Sequence, residues 1–395
     1  MTGVPLVEAR WDDARAALAM LVRPLPATRL PLAETDGLVL AEDLIALTAL
    51  PAFDTSAMDG WAVSGAGPWT IVGASLAGRP APGPLVPGQA VVIATGAVVP
   101  PGADAVVRSE DGTVSADRRT LDAPSPQPHT HVRPAGEECA EGELLATVGT
   151  PVTPALIGLA AAAGHDTLAV IPRPRAALIL FGDELATSGI AGPGLVRDSL
   201  GPQIPAWLVR IGVEIVHVER CADTLDAHVE AIRRASSLAD VVLTTGGTAA
   251  GPVDHLHAAI ELCQGRLEVD VVAVRPGHPM LAARIESSGT WLVGLPGNPQ
   301  SAIVTLLSLG APILAGLAGR DPRPVLMHAT VEEAIPAPAH EDRLVAGTIA
   351  DDIFTPSSHL GSGMLRGLAE STGFAVLPPG GVQPGDPVRW LPLPT

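Results

Sequence analysis

Trp291-Leu292-Val293-Gly294-Leu295-Pro296-Gly297-Asn298-Pro299 is a short apolar run that breaks into a Gly/Pro turn, and residues 300–317 follow it with an apolar helical pattern. A strand, a tight turn and a helix in that order make half of an alternating α/β unit. The turn also holds the only asparagine in a chain of 395 residues that has no lysine and no tyrosine but abundant Ala, Gly, Pro and Arg. A residue that survives alone against such a compositional bias is a site candidate. The competing reading is turn chemistry, because Asn tolerates left-handed conformations and often caps turns.

Working outward, residues 176–180, 213–218, 241–245, 267–274 and 280–285 read as further strands. Residues 203–211, 225–235 and 254–263 read as helices between them. This alternation predicts a mostly parallel sheet covered on both faces. Near the start, Trp11, Ala14, Leu18, Leu21 and Val22 have helical spacing, ended by Pro24 and Pro26. From 67 to 121 the chain becomes short apolar runs cut by Gly and Pro, the pattern of a small β-rich domain. Residues 153–164 read as a capped helix, and the Pro-rich stretch 320–324 precedes three more strand patterns at 325–330, 343–349 and 388–391.

The expected fold is multidomain, α/β plus β. Residues 1–50 and 125–172 can pack together as an N-terminal body, and a β-rich insert spans 51–124 and carries Asp59 at its start. An α/β domain covers 173–320 and a C-terminal β domain 321–395. There is no internal repeat.

Composition narrows the function. With 47% hydrophobic residues the chain can build substantial cores, and a formal net charge of -18 disfavours nucleic acid and anionic membrane surfaces. No uninterrupted apolar run reaches the roughly 18 residues of a membrane span, and no signal-like N-terminus is present, so cytoplasmic residence is expected. Cys139, Cys221 and Cys263 are too scattered for a disulfide framework or a Cys-based metal cage.

In open α/β sheets, ligands collect beyond the carboxyl ends of the strands. Three such ends are followed by Phe181-Gly182-Asp183-Glu184, by Gly246-Gly247-Thr248 and by the Asn298 turn. Glycines let backbone approach a phosphate closely, and Thr244, Thr245, Thr248 and Ser301 add hydroxyls, so this rim suits a phosphate. Asp183, Glu184, Asp198 and Asp254 lie around the same rim, and acids beside a phosphate call for a cation. Mg²⁺ fits, because it takes one or two carboxylates together with phosphate oxygens and water. Taken singly, each acid also reads as a helix cap or a solvated loop residue. A second polar cluster, Asp54, Ser56 and Asp59, is framed by Phe53, Met58 and Trp61.

Together these segments resemble the molybdopterin molybdenumtransferase family, the MoeA type that also forms the E domain of eukaryotic gephyrin. The marks are Phe53-Asp54-Thr55-Ser56-Ala57-Met58-Asp59-Gly60, Thr95-Gly96-Ala97, residues 101–107, Arg133-Pro134-Ala135-Gly136-Glu137-Glu138 and Gly182-Asp183-Glu184-Leu185. They continue with Arg197-Asp198-Ser199, Thr244-Thr245-Gly246-Gly247, Arg275-Pro276-Gly277, the Asn298 turn and Gly361-Ser362-Gly363-Met364-Leu365.

The resemblance implies that the N-terminal body is elongated. It also implies a homodimer whose site uses both chains, with insertion of molybdate into adenylylated molybdopterin, release of AMP and help from Mg²⁺. It implies catalytic and metal roles for Asp59, Glu184 and Asp254, with Asp59 serving the partner's site. Substrate contacts are implied at Ser56, Thr95, Glu138, Asp183, Asp198, Asp223, Gly246, Gly247, Thr248, Arg275, His278, Pro296, Gly297, Asn298, Pro299 and Ser301. Transient partners would be molybdopterin adenylyltransferase or recipient molybdoenzymes.

Several positions depart from the family pattern: Thr55 for Asn, Glu138 for Asp, Phe181 for Thr or Ser, Leu200 for Asn, His255 for Tyr, and Arg275 and His278 for lysines. The alternative they raise is a catalytically weak paralogue that binds molybdopterin or its molybdenum form and delivers it to a partner enzyme.

Overall fold

The computed structural model describes residues 4–248 and 255–394; Asp254, an expected catalytic and metal-binding residue, lies outside them. The chain forms two compact units, one of residues 28–170 and one of residues through Ala27 together with 171–395.

The larger unit is organised by a seven-stranded sheet. Its strands are β1 (Leu6–Ala9), β2 (Arg175–Phe181), β3 (Glu214–Cys221), β4 (Val241–Thr245), β5 (Gly265–Val272), β6 (Leu281–Ile285) and β7 (Trp291–Leu295). They lie in the order β1-β5-β6-β7-β4-β2-β3. Only β6 pairs antiparallel to its neighbours, so the sheet is mostly parallel, as expected. Every residue of β4 and β7 is buried, and so is β2 beyond Arg175. Such continuous apolar runs belong to strands covered on both faces.

The covering helices are α1 (Trp11–Leu21), α2 (Leu200–Ile211), α3 (Leu225–Ser236) and α4 (Leu256–Leu262), followed by a terminal helical stretch, Pro299–Leu317. In α3, Thr224 caps the N-terminus by accepting from Ala227 N, Asp226 sits in the first turn, and Arg233 and Arg234 sit in the last. That arrangement matches the helix dipole at both ends. The terminal stretch is long and apolar enough to cross a membrane, but 89% of it is buried as the core helix of this unit.

One boundary differs from the expectation of a body that includes residues 1–50. Residues through Ala27 belong with the α/β sheet, because β1 extends its edge and α1 packs on the terminal helix. The reason lies in that helix. Pro312 has no N–H to donate, and the stretch Leu306–Gly310 widens into a π-turn. At this turn the Leu307 carbonyl accepts from Arg15 Nη1 at 3.0 Å, and Trp11 Nε1 donates to Ser308 Oγ at 2.8 Å. Burial lowers the Arg15 pKa to about 10, which leaves the guanidinium charged at neutral pH. The Trp11, Ala14 and Leu18 stripe is thus buried against the α/β core.

The expected strand 267–274 divides at Ala273. Val274–Arg275 leaves the sheet and pairs in parallel with the start of Asp342–Ala350, a strand of the C-terminal six-stranded β domain. Arg10 fixes the same junction by a two-pronged bond to the buried carboxylate of Asp342 at 2.9 and 3.2 Å.

In the other unit, residues 60–122 form a six-stranded sheet around buried Trp69, whose indole N–H is held by the Ser64 and Gly65 carbonyls. The strand pair Thr55–Ser56 and Val132–Arg133 closes the base of this insert. The helix Pro154–Ala162, capped by Thr153, belongs to the rest of that unit.

Candidate functional site

The Asn298 turn does not owe its asparagine to backbone geometry or to a capping bond. Its backbone is extended (φ -70, ψ 125), a conformation any residue adopts, and it is the N-cap of the helix Pro299–Thr305. Its carbonyl receives Ala302 N, but the side chain makes no capping bond. Neither left-handed geometry nor capping requires an amide here. The exposed side chain instead borders two clefts.

The wider cleft, about 570 Å³, lies beyond the carboxyl ends of β2, β4 and β7. Its wall includes Phe181, Glu184, Asp198, Leu200, Thr245 and Gly246 on the sheet side, with Gly363 and Leu365 from the C-terminal domain. Glu184 is exposed, and its carboxylate has no hydrogen-bond partner among the described residues. Gly182, at φ +132, makes room for it: a Cβ there would stand 2.8 Å from Glu184 Oε2.

Asp198 borders the same cleft but is already engaged. One oxygen accepts from Gly201 N at 2.8 Å at the start of α2, and the other from Arg220 Nη2 at 2.7 Å. This residue, expected at the substrate, is buried and paired at the cleft wall. Asp223 accepts from Asp183 N at 3.2 Å and orders the loop that carries Glu184.

The narrower cleft, about 350 Å³, is lined by Arg275, His278, Asn298, Ser301, Arg343 and Ser362, among others. Arg275 and His278 were legible as basic positions. Arg343 and Ser362 come from the C-terminal domain and were not assigned from sequence, since only the Val274–Arg275 pairing brings position 343 alongside. Gln300 was also missed. It is buried, its backbone N donates to Ser362 O at 2.9 Å, and its side-chain amide donates to Met364 O at 2.7 Å and His359 O at 3.1 Å. The Gly361–Leu365 motif is thereby pinned against the Asn298 turn, and it supplies wall to both clefts.

Gly246 and Gly247 take left-handed φ values of +83 and +68, as a close phosphate approach needs, although Gly246 N is held by Leu295 O. Thr248 is buried, with its methyl against Gly294. Pro296 is buried, and Gly297 and Pro299 border the wider cleft.

In the other unit, Asp59 is exposed and its Oδ1 accepts from Thr95 N at 2.8 Å. The Glu138 side chain is exposed as well. Ser56 is buried, and its hydroxyl donates to Met58 O at 2.6 Å. Among the described residues no group of three or more His, Cys, Asp or Glu side chains forms a metal-binding cluster.

Two departures from the family pattern meet behind the wider cleft. Phe181 stacks on His228 with ring centroids 3.7 Å apart, and His255 meets His228 edge-on at 5.7 Å. His228 is 1% exposed, and among the described residues neither ring nitrogen has a hydrogen-bond partner, Nε2 lying 3.7 Å from Asp223 Oδ1. Burial lowers its pKa, and the neighbouring Asp223 opposes that shift without cancelling it.

A histidine kept neutral by the fold supports stability above its unfolded pKa of about 6.5, and that support is lost as pH falls toward the depressed folded value. Denaturant melts between pH 7.5 and 5 should therefore show a smaller acid loss in His228→Phe than in the wild type. Parallel curves would show that His228 does not contribute to the acid lability.

Comparison with known proteins bears on these clefts directly. Residues 9–164 match the MoeA N-terminal region (domain I and II), 177–316 a probable molybdopterin binding domain, and 329–393 the MoeA C-terminal region (domain IV). The molybdopterin molybdenumtransferase 2 of Mycobacterium tuberculosis is 33% identical over 393 residues, covering 93% of this chain and 95% of that protein. The chain belongs to the molybdopterin molybdenumtransferase family.

The Haemophilus influenzae molybdopterin molybdenumtransferase is 31% identical over 316 residues, 78% of each chain. A crystal structure of the MoeA protein of Pyrococcus horikoshii shares the fold, with a TM-score of 0.82 at 24% identity over 98% of this chain and 99% of that one. Both clefts are built jointly by the regions matching the molybdopterin binding domain and domain IV.

Proposed function

We propose that this chain inserts molybdate into adenylylated molybdopterin, with cleavage of the adenylyl phosphate bond to give molybdenum cofactor and AMP. The observation that carries the reading is Asn298, whose amide is required by neither the turn nor the cap and stands where the two clefts meet. One cleft is lined by the free carboxylate of Glu184 and the other by Arg275 and Arg343. A reaction that joins an oxyanion to a large phosphorylated pterin needs two such adjoining sites.

In this reading the wider cleft takes the adenylylated pterin, with Thr245 and the Gly246 turn at a phosphate and Asn298 orienting the group that faces the second cleft. The arginines of the narrower cleft hold molybdate, and Ser301 and Ser362 add hydroxyl contacts. The free carboxylate of Glu184 also fits Mg²⁺, which takes one or two carboxylates together with phosphate oxygens and water; Asp254, the other carboxylate expected to hold it in this domain, lies outside the described residues. When bound, Mg²⁺ would screen the phosphates and polarise the bond being cleaved, and Glu184 would hold it. A homodimer and a contribution of Asp59 to the partner's site belong to the same proposal and rest on the family resemblance.

Purified protein with adenylylated molybdopterin, molybdate and Mg²⁺ should release AMP and form cofactor. Binding without turnover would identify a binding and delivery protein instead. Asn298→Ala should lower kcat/KM by about 30-fold, the scale of one positioned hydrogen bond, with little change in melting temperature. Unchanged kinetics would remove Asn298 from the site.

A further inference from the structure

Behind the narrower cleft, one carboxylate is shared by two of its basic side chains. Glu341 Oε2 accepts from Arg275 Nε at 2.7 Å, and its other oxygen lies 3.3 Å from His278 Nδ1. The contact to His278 is within ion-pairing distance but off the hydrogen-bonding direction, and that nitrogen is buried without a partner. The Glu341 side chain is 18% exposed and does not border the cleft, whereas Arg275 is 62% exposed and does.

We propose that Glu341 is a specificity-determining counter-charge for the oxyanion cleft. It grips Arg275 by the Nε edge, leaves the terminal guanidinium nitrogens to the ligand, and reduces the net positive charge that any dianion would feel. The inference rests on the reading of this cleft as an oxyanion site.

The chemistry of arginine makes the arrangement workable. A guanidinium is a planar fork with five donors, so an acid can occupy one edge while the other still binds an oxyanion in two-pronged fashion. A lysine at position 275 would present one ammonium, and Glu341 would largely neutralise it. Arg275 is therefore more than a product of compositional bias: it is the basic residue that remains useful with an acid at its back.

The consequence is selectivity. Arg343, from the strand beside Arg275, has one terminal nitrogen engaged by the Pro336 carbonyl and adds a second positive charge to the wall. A cleft with two uncompensated cations would hold abundant tetrahedral dianions such as sulfate and phosphate by charge alone. With Glu341 present, charge contributes less, and binding depends more on the fit to Asn298, Ser301 and Ser362. Molybdate, larger than sulfate, reaches those groups differently, so geometry can discriminate where charge cannot.

The test is calorimetric titration of wild type, Glu341→Gln and Arg275→Ala with inorganic sulfate, phosphate and molybdate at one pH, with melting temperatures as a fold control. Glu341→Gln keeps an oxygen for Arg275 Nε and removes only the charge. It should bind sulfate and phosphate about tenfold tighter, the scale expected when one like charge near a dianion is removed in a partly solvated site. Molybdate should gain less, so the molybdate-to-sulfate preference falls, and Arg275→Ala should weaken all three.

Sulfate binding that is unchanged or weaker in Glu341→Gln, or a preserved molybdate preference, would overturn the counter-charge. A different failure would reach the cleft itself: if none of the three oxyanions binds wild type or Glu341→Gln, the oxyanion reading is wrong and the counter-charge goes with it.

Discussion

Replacing Glu184 by Gln should reduce turnover by about 10²- to 10³-fold, the usual cost of removing one charged group that acts on the reacting centre. The fold should not notice. The carboxylate is exposed and unpartnered among the described residues, so the substitution breaks no ion pair and buries no orphan. If Glu184 holds a substrate-borne Mg²⁺, the variant should also need more Mg²⁺ to reach half-maximal AMP release, while KM for molybdate, bound in the other cleft, stays within a few-fold. Wild-type turnover in Glu184→Gln would remove it from the chemistry. A fall in melting temperature of equal size to that of a core mutant would reassign it to structure.

Gly182→Ala gives the same argument an indirect form. The added Cβ would meet Glu184 Oε2, and at φ +132 it would also strain the turn, so turnover should fall together with a loss of melting temperature that Glu184→Gln does not show.

The strands and turns that frame this candidate site are legible in the sequence, and the contacts that are not share one physical cause. The strands at 241–245 and 291–293, the second of which runs on to Leu295, were readable because fully buried parallel strands are written as apolar runs, and their glycine turns mark where ligands collect. The Asn298 turn stood out by composition alone. The Asp198 carboxylate was legible at this rim, but its pairing was not, because nothing in a sequence says that Arg220 will be folded against it.

Glu341, Arg343 and Gln300 escaped for a related reason. They act only through the pairing of Val274–Arg275 with the C-terminal domain and through the packing of residues 359–364 on the Asn298 helix. Those contacts join segments far apart in the chain, and no local period encodes them. His228 was hidden too: its helical position reads as one more partly apolar face, and only the stack on Phe181 shows that the fold holds a neutral imidazole there. The partner of α1 was hidden likewise, since its stripe announces a buried face without saying against which core.

Asp59 offers the sharpest test of how the complete site is assembled. Its Oδ1 accepts from Thr95 N, which fixes the side chain, while the other oxygen makes no bond among the described residues. Asp59→Asn keeps the carbonyl oxygen for Thr95 and removes only the charge, so melting should be unaltered while turnover falls by about 10³-fold. Asp59→Ala also loses the anchor at Thr95 and should be no more active.

If the site is shared across a dimer, as the family resemblance implies, the two deficient variants should complement each other. A mixed dimer of Asp59→Asn and Glu184→Gln subunits has one site with both carboxylates intact and one with neither. Equal amounts of the two, dissociated and reassociated at random, give half mixed dimers, each with one working site, so about a quarter of wild-type turnover should return. Each variant alone should remain near its own residual rate. Full inactivity of the mixture, with mixed dimers demonstrated by mass, would mean that Asp59 serves its own chain or neither, and the shared-site assignment would have to be abandoned.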